Sequence, residues 1–168
     1  MQDSAILLKA VKENEIEKVA DLAKTIWAKH YPSIIGQEQV DYMLKNMYNT
    51  ESLLKQVNEK KQLFHFINLG NDNIGFLSVT LEGKDHWMLN KFYVLEEKAG
   101  KGIGTRILEE LKKIIQPKKL SLTVNRKNYK SINFYFKNGF KIESTAVFDI
   151  GNGFVMDDFV MVWSADSR

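Results

Sequence analysis

The period of the apolar positions changes along the chain, and the changes divide it into helical and extended stretches. Residues 6–12 read as a short strand. Asn14, followed three positions later by Glu17, makes a capping box for a helix that carries Ile16, Val19, Ala20, Ala23, Ile26 and Trp27 and should stop near Pro32. Val40, Met43, Leu44 and Met47 keep the helical spacing over residues 37–46, and a further helix is predicted over 50–60. The period then drops to two. Residues 63–69 and 74–81 are strand-like runs joined by Gly70, Asn71, Asp72 and Asn73, which is hairpin chemistry. After a polar turn at 82–85, residues 86–95 read as a third strand. That strand leads into a glycine-rich segment opening a helix of Ile103, Ile107, Leu108, Leu111, Ile114 and Ile115, which Pro117 ends. A strand at 120–124 follows, then a short helix at 128–138, closed by Gly139 in a left-handed conformation with Phe140 as its hydrophobic follower. Two strands at 140–150 and 154–163 finish the pattern. The order β, helices, β, β, β, α, β, α, β, β is that of a mixed α/β sheet covered by helices.

Composition narrows the class. With 168 residues, 44% hydrophobic and 27% charged, the chain suits one soluble globular domain over residues 1–168. The absence of cysteine excludes disulfides, thiolate metal sites and a cysteine nucleophile. No apolar run approaches the roughly 20 residues that span a bilayer, and the first residues lack the basic-then-apolar order of a signal peptide. A cytoplasmic protein without membrane association is expected. A net charge of +3 is too small to argue for nucleic acid, and the pairs Lys60 with Lys61, Lys112 with Lys113 and Lys118 with Lys119 are scattered. His30, His65 and His86 share no metal-ligand spacing, so no metal is expected.

The segment Lys98, Ala99, Gly100, Lys101, Gly102, Ile103, Gly104, Thr105 lies between a predicted strand and a predicted helix. Alternating glycines let backbone amides turn toward a ligand, and the helix dipole behind them favours an anion, so a phosphate site is expected; the competing reading is a tight turn and nothing more. Lys98, Lys101 and Arg106 add charge beside it. A P-loop needs Gly-Lys followed by Ser or Thr, but Gly102 follows Lys101. A dinucleotide fingerprint fails as well, because Thr105 or Ile107 stands where its third glycine belongs.

The strand at 89–94 followed by residues 98–105 resembles the acyl-CoA pyrophosphate loop of the GNAT superfamily of N-acetyltransferases. Gly102 and Gly104 fill the family's two small positions, and Ala99 replaces its polar first one, which removes a polar contact but not the amide cradle. Asn128, Ser131, Phe134, Tyr135, Gly139 and Phe140 match the family's downstream signature. The ending Met156, Asp157, Asp158, Phe159, Val160, Met161 looks like the bacterial branch of polyamine acetyltransferases related to PaiA. The resemblance implies a mostly antiparallel central sheet of about seven strands flanked by four or five helices, splayed between the fourth and fifth strands. It implies acetyl-CoA as co-substrate and direct transfer of the acetyl group to a primary amine of a polyamine, amino acid or peptide-like small molecule. An acyl-CoA-binding regulatory module that has lost the chemistry is the alternative.

Residue by residue, the resemblance places the cofactor along Phe92, Tyr93 and Val94, whose backbone pairs with the pantetheine arm and holds the oxyanion, and over Gly100, Lys101, Gly102, Gly104 and Thr105. Asn128 caps its helix, donates to the cofactor, or does both, and Lys137 meets a phosphate or is a solvated lysine. Tyr135 would protonate the departing thiolate; the competing reading is a core aromatic. Tyr31 and Asp157 are the candidate acceptor-binding residues. The strand at 86–94 offers only His86, Asn90 and Lys91 as polar positions in place of the family's Glu, so the base is water, Asp149, Asp157 or Asp158. Val147, Phe148, Ile150, Phe154, Val155, Phe159, Val160, Met161, Val162 and Trp163 exceed what one sheet face buries, which makes the closing strands a candidate homodimer surface.

Overall fold

The structure, a computed structural model, describes residues 4–166. Thirteen regular elements follow one another: β1 (Ile6–Ala10), α1 (Ile16–His30), α2 (Pro32–Ile35), α3 (Gln37–Met47), α4 (Thr50–Asn58), β2 (Leu63–Leu69), β3 (Asp72–Gly83), β4 (His86–Val94), α5 (Ile103–Ile115), β5 (Lys119–Asn125), α6 (Tyr129–Lys137), β6 (Lys141–Gly151) and β7 (Phe154–Ser164). The seven strands run in the order β1-β2-β3-β4-β5-β7-β6. The pairs β1–β2, β2–β3, β5–β7 and β6–β7 are antiparallel, and β4–β5 is parallel. This is the mixed sheet expected from the sequence. The described residues form six α-helices rather than four or five, the extra one being the single turn α2. There Pro32 supplies a helical φ at the first position and Gly36, at φ 84°, ends the turn.

The entry to α1 also differs from the sequence reading. The residues expected to cap it do not: a 3-10 turn at Glu13–Glu15 precedes the helix, and Glu15 Oε1 accepts from the Lys12 backbone N–H at 3.1 Å. Asn14 thus sits inside a turn that Glu15 closes, and α1 starts at Ile16 with its expected buried face intact. The β2–β3 turn is shorter than the four residues anticipated. Leu69 pairs with Asp72, leaving Gly70, at φ 61°, and Asn71 to turn the chain.

The chain gathers into two compact units, the first of residues up to Thr80 together with Lys91–Ile115, the second of Leu81–Asn90 together with Gln116 onward. In the first, Val19, Ala23, Val40, Leu53, Ile67, Ile74, Phe76, Leu77, Val79, Ile107 and Leu111 are fully buried. Each large apolar side chain hidden in this way contributes about 1.5–3 kcal/mol. The second unit has its own core of Leu120, Leu122, Val124, Ile132, Tyr135, Phe140 and Met161. Ile142, Val147, Phe148 and Val155 of its closing hairpin stay exposed.

Candidate functional site

In the first unit the end of β4 is fixed by its neighbour β3. A Cβ on Gly75 would collide with the Tyr93 carbonyl oxygen, so only glycine lets the strands approach this closely, and Leu95 N–H donates to the Ile74 carbonyl at 2.8 Å just beyond. The chain then makes a 3-10 turn at Glu96–Lys98 and enters the glycine segment. Gly100, Lys101 and Gly102 have φ of 87°, 54° and 76°, three consecutive residues in the left-handed region, and α5 begins immediately after them. Such a run folds the backbone back so that successive amides face one side. Gly104 and Thr105 lie in the first turn of α5, where N–H groups have no carbonyl one turn back to bond.

An acyl-CoA pyrophosphate fits this cradle on one direct test. A Cβ added to Gly100 or Gly102 would meet nothing within 4 Å, so the backbone there faces open space that a ligand can fill. Of the three cations expected beside it, two have other partners. Lys98 Nζ lies 3.8 Å from Asp72, and the Arg106 guanidinium donates to the Ser4 carbonyl at 2.6 Å. Lys101 makes no ion pair among the described residues.

Tyr93 belongs to a ring cluster that also holds Tyr31. Tyr31 stacks on Trp27 with centroids 4.2 Å apart, and Tyr93 meets Tyr31 at 6.1 Å and Trp27 at 5.6 Å edge-on. Trp27 is buried, and its Nε1–H has no hydrogen-bond partner among the described residues. Sequence reasoning named Tyr31 and Tyr93 separately; the structure brings them together.

Lys91 was missed as a feature of this unit. Its ammonium lies 5.7 Å from the Tyr48 ring centroid and 5.5 Å from that of Phe64, and donates to Gln62 Oε1 at 3.0 Å, an oxygen that Ser78 Oγ also donates to. No carboxylate among the described residues pairs with it, and burial pushes its pKa down to about 7, with Lys60 adding to the effect. Only the polar residue inside an aromatic strand hinted at it.

The second unit carries the other candidates. The parallel register of β4 with β5 runs from His86↔Lys119 to Leu89↔Leu122, whereas β5 continues against β7 to Asn125↔Asp158. The splay expected between the fourth and fifth strands is therefore present. Asn128 is buried and caps α6, its side chain accepting from Ser131 N–H at 3.3 Å. Tyr135 is buried on α6 with Phe140 at 5.4 Å and Phe134 at 5.3 Å, and burial pushes its hydroxyl pKa well up. Lys137 is exposed at the end of that helix.

The structure separates the three acids. Asp149 accepts from Gly151 N–H at 2.9 Å in an exposed turn, and Asp157, half-exposed, pairs with Arg126 Nε at 3.0 Å. Asp158 alone is buried, at 3% exposure. Burial raises its pKa to about 6, the Thr123 hydroxyl hydrogen bond pulls it back, and Asp157 adds to the rise.

A cradle of glycine amides at a helix N-terminus in one unit and, in the other, a β-sheet opened between its fourth and fifth strands are the marks of a CoA-dependent acyltransferase fold. The model of the acetyltransferase (GNAT) family matches residues 20–140, and the chain belongs to that family, whose activity is acetyl-CoA-dependent N-acetyl transfer. The chain is 27% identical over 160 residues to spermidine N(1)-acetyltransferase of Thermoplasma acidophilum, covering 91% of this chain and 96% of that one. The structure of the PaiA N-acetyltransferase of the same organism in complex with coenzyme A superposes with a TM-score of 0.76 at 26% identity, covering 95% of this chain and 99% of that one. A GCN5-related N-acetyltransferase of Rhodopseudomonas palustris shares the fold at a TM-score of 0.77 and 19% identity, with 98% of each chain covered. The likeness to the polyamine branch is thus not confined to bacteria, the Thermoplasma relative being archaeal. No helix among the described residues is long and apolar enough to cross a membrane.

Proposed function

We propose that this chain moves the acetyl group of acetyl-CoA directly to a primary amine of an aliphatic polyamine. The observation that carries the reading is the left-handed run Gly100, Lys101, Gly102 with open space before it at the start of α5. Gly100, Lys101, Gly102, Gly104 and Thr105 hold the pyrophosphate, and the backbone of Phe92, Tyr93 and Val94 receives the pantetheine arm. An amide of Phe92 or Tyr93 directed at the thioester oxygen supplies oxyanion stabilisation of about 3–4 kcal/mol. Asn128 and Lys137 add polar contacts to the cofactor. Tyr135, kept protonated by burial, gives its proton to the leaving thiolate. No covalent intermediate on the protein is needed.

The acceptor class is supported by the ring cluster around Tyr31, since aromatic faces attract alkylammonium groups, and by the name of the Thermoplasma relative. Asp157 is the second acceptor contact, reached when Arg126 yields. The exposed Ile142, Val147, Phe148 and Val155 support a homodimer through the closing hairpin. The test is thiol release from acetyl-CoA with spermidine, amino acids and peptides as acceptors. Amine-dependent release greatest with spermidine is expected. Stabilisation by acetyl-CoA with no release for any amine would leave a binding protein instead.

A further inference from the structure

Asp158 is the only carboxylate that is buried among the described residues, and no cation there pairs with it. Arg126, the base paired with the adjacent Asp157, spends its guanidinium there and packs it 5.5 Å from the Phe159 ring centroid. Asp158 has a hydrogen bond with the Thr123 side chain instead. In register, Asp158 faces Asn125 of β5 on one side and Ala146 of β6 on the other. Thr123 lies diagonally across the same sheet face and is exposed, so the carboxyl sits just beneath the surface. The β5 residues it neighbours, Thr123 and Asn125, lie past Leu122, where the β4–β5 register ends. They also lie immediately before the buried cap Asn128 and the helix that bears Tyr135.

A buried carboxylate without a counter-ion is costly unless a ligand supplies the positive charge. The ligand of an N-acetyltransferase arrives with one, because an alkylamine is an ammonium ion at neutral pH. We infer that Asp158 receives the reacting ammonium group of the acceptor and takes a proton from it. The inference rests on the transferase reading above and names the base that reading lacks.

The proton count closes. The acceptor ammonium gives one proton to Asp158; the freed nitrogen lone pair forms a C–N bond to the thioester carbonyl carbon while the C=O electrons move to oxygen. Return of those electrons breaks the C–S bond. The thiolate takes the Tyr135 proton, the second nitrogen proton restores Tyr135, and Asp158 releases its own to water. Raised to about 6, Asp158 is still ionised at neutral pH and is a stronger base than an ordinary aspartate. The groups facing it are neutral Thr123, Asn125 and Ala146, with Asp157 as its charged strand neighbour and Arg126 held on Asp157.

The test compares two acceptors with wild-type protein and Asp158→Asn. One is spermidine; the other is an aminooxy-alkylamine whose reactive nitrogen carries no extra proton at neutral pH and needs no base. Asp158→Asn should lower kcat/KM for spermidine by about 100-fold or more and for the aminooxy compound by less than about 10-fold. Wild-type kcat/KM for spermidine should fall as pH drops through about 6, and this limb should be absent with the aminooxy compound. Thr123→Val, at an exposed position, removes the hydrogen bond that favours the carboxylate and should move the limb to higher pH. That variant keeps the idea testable if Asp158→Asn does not fold. Equal losses for both acceptors, or a limb unmoved in Thr123→Val, would overturn the inference. Failure of the transferase reading looks different, with wild-type protein binding acetyl-CoA but releasing no thiol with either acceptor.

Discussion

The hydroxyls of Tyr48 and Tyr93 lie 3.2 Å apart, tying the residue that ends α3 to the strand proposed to hold the thioester. Tyr48 is buried and its hydroxyl pKa is pushed well up, mainly by that burial. With Trp27 and Tyr31 in contact with the same rings, the early helices and β4 of the first unit share one aromatic core. Lys91 brings its amine to within 5.7 Å of the Tyr48 ring centroid of that core.

The Lys91 amine, pushed down to about 7 from 10.5, makes stability depend on pH in a definite direction. Between about 7 and 10.5 the unfolded chain binds a proton there and the native state does not, so this group's contribution makes stability rise with pH across that window. Below about 7 the native state must carry the buried charge. Lys91→Met removes the whole effect. Its melting temperature should exceed that of the wild type most at pH 6, and the gap should shrink toward pH 10. A gap that is constant over this range would show that the amine titrates normally.

Gly75→Ala tests how β4 is held. The added methyl would overlap the Tyr93 carbonyl, which is backbone and cannot swing away, so the end of β4 must shift. A loss of about 1–3 kcal/mol in stability is expected by urea denaturation, together with weaker CoA binding measured calorimetrically. Lower stability with unchanged CoA affinity would separate this strand end from the cofactor.

The element order was readable because the period of apolar residues switches cleanly, and Asn128, Gly139 and the glycine run stood out by their turn and cap chemistry. Other features lay beyond pattern. The cap of α1 went to Glu15 rather than Asn14 because a 3-10 turn, invisible to periodicity, intervenes. The neighbours Asp157 and Asp158 point to opposite faces of β7, so only the paired strands decide which meets Arg126 and which is buried. Lys91 likewise depends on the distant Gln62, Phe64 and Tyr48, which no local spacing links to it.

Gly102→Val probes the cradle. At φ 76° a β-branched residue is strained, and its side chain would project into the open space in front of the amides. Thermal stability should fall modestly, whereas stabilisation by acetyl-CoA in a thermal-shift titration should vanish. Retention of tight CoA binding would place the pyrophosphate elsewhere.

Tyr135→Phe tests the proposed proton donor. The hydroxyl is buried among Phe134 and Phe140 and its pKa is raised, so it stays protonated throughout the working pH range and its ionisation should cause no alkaline loss of rate. Removing it leaves the ring packing in place. CoA affinity should therefore be unchanged while kcat falls about 100 to 10,000-fold, the range for losing a positioned general acid. The deficit should shrink with a thioester whose thiol is more acidic than that of CoA, because a stabler thiolate leaves without a proton. A core tyrosine with no part in the chemistry would instead show lower stability, near-normal kcat, and no dependence on the leaving group.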